Sequence, residues 1–207
     1  FRRVLFRSNI TLNGDTNIGN DITASADDST LNLTITNASG SANNITIDAN
    51  NNADTTVNVG GTIGLTGTLH VGANDGTATA LFTELTSAYG NIDVNASNDA
   101  TVSLDIATLN GDITDFTVAA DNSTIDVTTN SFLAGTPTNH SVDITNLTAT
   151  ASLNSDVNIT LNGDTNIGND ITASADDSTL NLTITNASGS ANNITIDANR
   201  SEEHTSE

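Results

Sequence analysis

A short apolar pattern that recurs along almost the whole chain constrains the fold more than any other feature. It can be aligned on threonines spaced roughly 25 residues apart, namely Thr30, Thr56, Thr77, Thr101, Thr124, Thr150 and Thr179. In most copies the first and third residues after the threonine are apolar, as are Leu31 and Leu33. The residues eight and six positions before it are also apolar in most copies, as are Ile22 and Ala24. Such alternation is typical of strands with one buried face, so each copy predicts a strand, a short polar corner and a second strand.

A longer repeat contains the short one. Residues 9–50 recur without change as residues 158–199, so the period is the length of residues 9–157. Identity over so long a segment indicates a recent tandem duplication or an assembly of reads that closed on itself, and both imply a longer protein in which one unit follows another. We therefore divide the body into one unit of about six coils, residues 9–157, and the start of the next identical unit, residues 158–199.

These repeats predict an all-β, parallel β-helix with coils of about 25 residues, because each coil can bury its apolar row only against the next coil. We expect right-handed coils, which is the usual hand of parallel crossovers. One interior row is predicted to contain Leu33, Val59, Ala80, Leu104 and Val127. Tandem antiparallel β-sandwich modules, one per long unit, are the alternative, although a sandwich does not require corners that recur in register.

The two ends differ from the body. A DNA sequence that encodes Phe1 to Ser8 (FRRVLFRS) has a reverse complement that encodes Arg200 to Glu207 (RSEEHTSE). That DNA resembles a common sequencing adapter, so we interpret residues 1–8 and 200–207 as adapter-derived tails that are not native. The chain is then a fragment translated from metagenomic reads, and the lack of a signal peptide carries no information.

Charge excludes several classes of partner. All four basic residues lie in the two tails, whereas the body keeps 22 of the 25 acidic residues, nearly all of them aspartate. A surface without cations cannot neutralise phosphates, so we expect no nucleic acid partner. No apolar run approaches the ~20 residues that span a bilayer, so we expect no membrane insertion. The chain has no cysteine, which excludes disulfides and thiol chemistry.

The predicted corners are rich in asparagine, aspartate and threonine, in segments such as ASADDSTLNL, NASNDATVSL and AADNSTIDV. With the lack of cysteine, this pattern resembles the repeat shafts of bacterial autotransporters and filamentous-haemagglutinin-like exoproteins. The resemblance covers the whole body, is one of pattern, and supplies no catalytic residues. It implies an extracellular or cell-surface structural stalk of a large adhesin or biofilm-type protein. The expected partners are neighbouring repeats of the same chain, and host or matrix glycans or proteins bound by regions outside this sequence.

A polysaccharide hydrolase is the alternative function, because such enzymes also use the β-helix fold. It would need two carboxylates about 5 to 9.5 Å apart, and the candidate pairs are Asp112 with Asp115 and Asp27 with Asp28. A chain with this many aspartates produces such pairs by composition alone. We therefore predict solvated turn residues and no catalytic residue. A lyase would need an arginine or lysine base, which the body lacks.

Calcium is the one cofactor that the pattern indicates. An acidic residue recurs two residues before the corner threonine, and stacking in register would align the carboxylates of Asp28, Asp54, Asp75 and Asp99 along one edge. A second candidate set is Asp15, Asn17 and Asp21, which recurs from Asp164 to Asp170. Neither set has the remaining ligands of an EF-hand loop. The competing interpretation is that these residues only cap turns.

Two histidines lie in the body. His70 stands between the inward-facing Leu69 and Val71, so it is predicted to point outward from a strand. His140 follows the only proline, Pro137, and is predicted to lie in a loop. Two isolated histidines without cysteine do not make a zinc site, so both are predicted to be surface groups without a chemical role.

Overall fold

A computed structural model describes residues 7–130, 142–163, 165–185, 187–188 and 192–199. These residues form strands and short connections, and no helix occurs among them. The strands are β1 (Arg7–Ile18), β2 (Ile22–Asp27), β3 (Thr30–Ala42), β4 (Ile45–Asn50), β5 (Asp54–Leu65), β6 (Thr68–Asn74), β7 (Thr77–Ser97), β8 (Thr101–Ile106), β9 (Leu109–Asp121), β10 (Thr124–Thr129), β11 (Val142–Ser152), β12 (Asp156–Leu161), β13 (Thr165–Asp176), β14 (Thr179–Ile184), β15 (Ala187–Ser188) and β16 (Asn193–Asn199).

All pairings between the described strands are parallel, and each strand pairs with segments one turn earlier or later along the chain. The chain therefore forms a β-solenoid of about 7 turns with about 23 residues per turn. This arrangement confirms the predicted parallel β-helix. The alternative of antiparallel β-sandwich modules is wrong, because the apolar rows recur at equivalent positions of successive turns and meet by parallel stacking. We call each turn a coil.

Each coil has three straight sides. In the coil that starts at Thr30, the first side is residues 30–35, the second is residues 38–42 and the third is residues 45–50. Irregularities in register separate the first side from the second, as between Ile35 and Ala38. A polar corner joins the third side to the first side of the next coil. Apolar side chains from the three sides fill the interior and form one continuous core.

The interior rows follow the strand register. The first-side row contains Ile10, Leu33, Val57, Ala80, Leu104, Val127, Ile159 and Leu182. Four of the five residues predicted for this row are present, whereas Val59 lies in the adjacent row, between Ile35 and Phe82. The displacement arises because the inward residue that opens this side is Thr55, which is buried and whose hydroxyl donates to the Asp48 carbonyl at 2.7 Å. In the sequence, a buried threonine cannot be distinguished from a polar residue that faces outward. The apolar pattern therefore predicts Val59 for this row, two residues after Val57.

Successive coils are nearly equal in length, with one exception. Thr30, Asp54, Thr77, Thr101 and Thr124 open the first sides of consecutive coils at almost constant intervals. The interval from Thr124 to Asp156 is longer, and the additional residues lie between the end of β10 and the start of β11. The predicted loop residues Pro137 and His140 are in this interval and lie outside the described residues.

The same longer coil displaces one predicted corner. Thr150 was aligned with the other corner threonines, but it lies on the third side, where it pairs with Ala119. The true equivalent in that coil is Asp156, which pairs with Thr124. The prediction at Thr150 is therefore wrong, because the additional residues between β10 and β11 lengthen this coil, so a spacing of about 25 residues from Thr124 ends on the third side, before the corner.

Candidate functional site

The corners between the third and first sides hold three of the four aspartates in the first predicted calcium set. Their lengths alternate strictly: two residues at 28–29, 75–76, 122–123 and 177–178, and three at 51–53, 98–100 and 153–155. The residue two positions before the first side always has a left-handed backbone, with φ between 47° and 63°, and is always Asp or Asn: Asp28, Asn52, Asp75, Asp99, Asn122, Asn154 and Asp177. Asp and Asn tolerate this conformation better than other residues with a Cβ, so backbone geometry alone accounts for the recurrence.

This column differs from the predicted one at a single position. Asp28, Asp75 and Asp99 belong to it, but Asp54 aligns with Thr30 and Thr77, two residues further on. The residue that occupies the column in that coil is Asn52. An amide therefore interrupts the predicted row of carboxylates. Within the described part of this column, only Asp75 and Asp99 are carboxylates in consecutive coils.

Three of the four predicted ligands nevertheless share one groove. A shallow depression of about 270 Å³ at the corner is lined by Asn52, Ala53, Asp54, Asp75, Gly76, Thr77, Asp99 and Thr101. A neutral amide flanks each of its two column carboxylates. Asn52 Nδ2 lies 3.4 Å from Asp75 Oδ2, and Asn122 Nδ2 donates to Asp99 Oδ1 at 2.7 Å. Among the described residues, no three acidic or imidazole groups are placed so that they could hold one metal ion.

A small residue follows the left-handed position in every corner and allows the close stacking. Ala53 and Ala100 are buried, and a Cβ on Gly76 would lie 2.8 Å from the Ala53 carbonyl oxygen. In the later coils serine takes this place. Ser155 Oγ accepts from the Ser123 amide at 3.2 Å, and Ser123 Oγ accepts from the Ala100 amide at 3.2 Å. The corner is thus a hydrogen-bonded ladder with little space for a bulky ligand.

Amide-to-carboxylate bonds also connect neighbouring coils away from this corner. Asn130 donates to Asp105 at 2.8 Å, and Asn146 donates to Asp115 at 2.8 Å. A chain whose body has no lysine or arginine thus stacks its carboxylates against neutral donors. Hydrogen bonds to ionised acceptors are stronger than neutral ones, which lets an acidic surface remain compact without cations.

The second predicted calcium set has the same kind of partners. Asp15 accepts from the Asn37 amide side chain, and Asp21 Oδ1 accepts from the backbone N–H of Asn44 at 2.9 Å. All three predicted ligands, Asp15, Asn17 and Asp21, are exposed on the first coil. The two carboxylates accept hydrogen bonds from the next coil instead of pointing together at one metal position. Asp164, in the second copy, lies outside the described residues.

The candidate hydrolase pairs lie on the outside of the coils. Asp112 and Asp115 flank the buried Ile113, and Asp115 accepts from Asn146. Asp27 ends β2 and accepts from Asn51 Nδ2 at 2.6 Å, whereas Asp28 begins the left-handed corner. Two of these four carboxylates thus accept an amide from the adjacent coil.

His70 lies on the surface between two acidic side chains. As predicted, it points outward from the third side, but it is half-buried between two acids. Its Nδ1 lies 3.0 Å from Asp93 Oδ2 on the next coil, and its Nε2 lies 3.2 Å from Asp48 Oδ1 on the preceding coil. Gly72 makes the second contact possible, because a Cβ there would lie 2.7 Å from Nε2. Sequence reasoning missed these partners, which only the strand register brings together.

The two acids shift the protonation equilibrium of His70. The hydrogen bond that His70 donates to the Asp93 carboxylate raises the pKa of His70 above its ordinary value of 6.5. Burial opposes this effect, and the charges of Asp48 and Asp93 add to it. Conversely, the hydrogen bond with His70 lowers the pKa of Asp93 below its ordinary value of 3.8. The fold therefore favours the protonated form of His70, whose side chain connects three consecutive coils.

No protein-family model matches the chain, and neither the curated proteins nor the solved structures contain a match. Within the described part of the chain, no helix has the length and apolar character needed to cross a membrane. The class of protein defined by the fold is a parallel β-solenoid repeat protein.

Proposed function

We propose that the chain is a non-catalytic spacer segment in the stalk of a large secreted or cell-surface protein of the adhesin or biofilm type. The observation that supports this proposal is the register of the two identical segments. Asn9 pairs with Asn32 on the next coil, and Asn158 pairs with Asn181 in the same way. The coil that follows residues 9–157 therefore begins in the same register as the coil that begins the unit. Such units can follow one another without a change of direction.

The geometry of the unit suits a spacer. Six coils separate equivalent residues of the two copies, and strands stack about 4.8 Å apart, so each added unit should lengthen the rod by about 29 Å. The interior is filled by side chains, while the outer surface carries amides, hydroxyls and carboxylates. Such a rod separates whatever lies at its two ends and needs no site of its own.

Small-angle X-ray scattering tests this proposal directly. A chain with one further copy of residues 9–157 inserted in register should show a maximum dimension increased by about 29 Å, with an unchanged cross-sectional radius of gyration. A matched control carries a Gly/Ser-rich insert of equal length, which should form a flexible coil and broaden the distance distribution. An in-register insert that scatters like the flexible control would contradict the stalk proposal.

The alternative of a polysaccharide hydrolase has a separate test. We expect the purified chain to release no reducing ends from pectin, alginate or neutral glycans. Turnover that is lost in both Asp112→Asn and Asp115→Asn, and kept in Asp126→Asn as a matched surface control, would replace the stalk proposal with an enzymatic function.

A further inference from the structure

An asparagine–glycine pair stands at the same corner in both copies of the unit. In the first copy it is Asn13–Gly14, and in the second it is Asn162–Gly163. The corner joins the first side of a coil to its second side, where the register shifts between Leu12 and Asp15. Both glycines have a positive φ, 91° and 114°, a conformation that residues with a Cβ rarely adopt. The backbone at this corner therefore favours glycine after the asparagine.

This pair is chemically labile, because asparagine is a thermolabile residue and glycine has no side chain to hinder attack by its backbone nitrogen. In the reaction the Gly14 nitrogen loses its proton and bonds to Asn13 Cγ, the Cγ–Nδ2 bond breaks, and ammonia leaves. Water then opens the succinimide ring. Where it breaks the original main-chain bond, the product is isoaspartate, in which the chain runs through Cβ and Cγ and a carboxylate replaces the neutral amide.

The next coil binds the attacking nitrogen of each pair. The Gly14 N–H donates to Thr36 Oγ1 at 3.2 Å, and the Gly163 N–H donates to Thr185 Oγ1 at 3.2 Å. The same threonine hydroxyl can donate to the carbonyl oxygen of the leucine before the pair, at 3.2 Å in the first copy and 3.3 Å in the second. In the second copy it also lies 3.3 Å from Asn162 Oδ1. The nitrogen must give up this hydrogen bond before it can attack.

We propose that Asn13 and Asn162 are sites of spontaneous deamidation, and that the threonine hydroxyl of the next coil suppresses the reaction while the coils are stacked. Local opening of a coil releases the glycine N–H and lets the ring close. Isoaspartate then lengthens the main chain and adds a negative charge to a body without lysine or arginine. A coil that has reacted cannot return to its original register, so the modification makes an opening event permanent.

Mass spectrometry of the full chain during incubation in mildly alkaline buffer tests the proposal. Cleavage after Arg7 and before aspartates separates the two copies, because it releases residues 8–14 from the first and 156–163 from the second. The aspartate product gives a fragment shorter by two residues, which is counted together with isoaspartate.

We expect Thr36→Val to accelerate deamidation of Asn13 by about fivefold and to leave Asn162 unchanged. Thr185→Val should have the opposite selectivity, so each copy is the internal control for the other. Thr34→Val is a matched surface control, because Thr34 pairs with Thr11 and Asn58 and should leave both rates unchanged.

Unfolding in guanidinium chloride removes the next coil from every chain. There the unmodified chain and the threonine variants should react at one rate, faster than the folded unmodified chain. A folded chain that reacts as fast as the unfolded one would overturn the proposal, as would Thr36→Val reacting no faster than Thr34→Val. An equal acceleration at both copies would also overturn it, since general destabilisation would then be the cause. None of these results bears on the stalk proposal.

Discussion

The Asn122 amide donates to the Asp99 carboxylate across 2.7 Å, from the same left-handed corner position of the next coil. The bond shows how this acidic chain stacks. Coils repeat their outer residues at close spacing, and like charges at neighbouring positions destabilise a sheet. An asparagine in the adjacent coil replaces the second charge with a donor and keeps the backbone conformation, because Asn and Asp both tolerate a positive φ.

Replacement of this amide by a carboxylate should therefore destabilise the solenoid. We expect Asn122→Asp to lower the free energy of unfolding by about 1 kcal/mol at low ionic strength, and added NaCl to restore most of the loss. Asn122→Gly serves as the control, since glycine accepts the backbone conformation and removes the amide without adding charge. Its smaller loss should not depend on salt. Urea unfolding at two ionic strengths checks both variants, and equal salt responses would show that repulsion is not the cause.

The fold was predictable because the apolar alternation survives in most coils. The exact register was not, and Asp54 shows why. Corners of two and three residues alternate, and the inward-facing Thr55 is polar. The apolar pattern therefore aligns Thr56, instead of Asp54, with the first residue of the side. This alignment places Asp54 in the acidic column. The structure places Asn52 there. An error of two residues preserves the inward face but changes which side chains meet in neighbouring coils.

The His70 site depends on register even more strongly. Asp48, His70 and Asp93 are far apart in sequence, and no local motif connects them. Their contact needs the pairing of β4 with β6 and of β6 with β7, together with the lack of a side chain at Gly72. Sequence reasoning predicted the outward direction of His70 from its apolar neighbours, but it had no access to the opposing strands.

His70 should make stability depend on pH in a defined window. The pKa of His70 is raised in the fold, so its contribution is complete below the ordinary value of 6.5 and is lost as pH rises through the raised pKa. The pKa of Asp93 is lowered, so its contribution is complete above the ordinary value of 3.8 and is lost as pH falls through the lowered pKa. The link is therefore strongest between those two ordinary values.

Thermal unfolding across pH tests this window. The melting temperature of the unmodified chain should exceed that of His70→Gln most between pH 3.8 and pH 6.5, and the difference should shrink in alkaline solution. Gly72→Ala provides an independent variant, because its Cβ would push the ring away from Asp48 and lower the pKa of His70 observed by NMR. A difference that stays constant with pH would mean that His70 contributes by packing alone.

Thr129 is a weak point in the core. It lies in an interior row between Ile106 and Leu161, is fully buried, and its hydroxyl has no hydrogen-bond partner within the described structure. A buried polar group without a partner costs about 1–3 kcal/mol. We expect Thr129→Val to stabilise the chain by about 1–2 kcal/mol, measured by urea unfolding.

Thr55→Val is the matched control for this prediction. Thr55 is equally buried, but its hydroxyl donates to the Asp48 carbonyl at 2.7 Å. The same substitution there removes a satisfied bond and should destabilise by about 1 kcal/mol. If both substitutions change stability in the same direction, the hydrogen bond made by the hydroxyl is not the deciding factor.

Added salt should stabilise the chain. Calcium should stabilise it more than NaCl of equal ionic strength only if the groove beside Asp75 and Asp99 is a specific calcium site. The formal net charge is −21, and at 0.1 M salt screening largely removes the repulsion between exposed carboxylates that are more than ~10 Å apart. A calcium site needs about six or more oxygen ligands around one ion, whereas these two carboxylates already have Asn52 and Asn122 as neighbours. We therefore expect about 1 mM CaCl2 to raise the melting temperature no more than NaCl of equal ionic strength. A larger rise with calcium that magnesium does not reproduce would instead support calcium binding at the three members of the predicted set that line this groove, Asp54, Asp75 and Asp99. Asp75→Asn should then remove the additional rise, and Asp126→Asn should keep it.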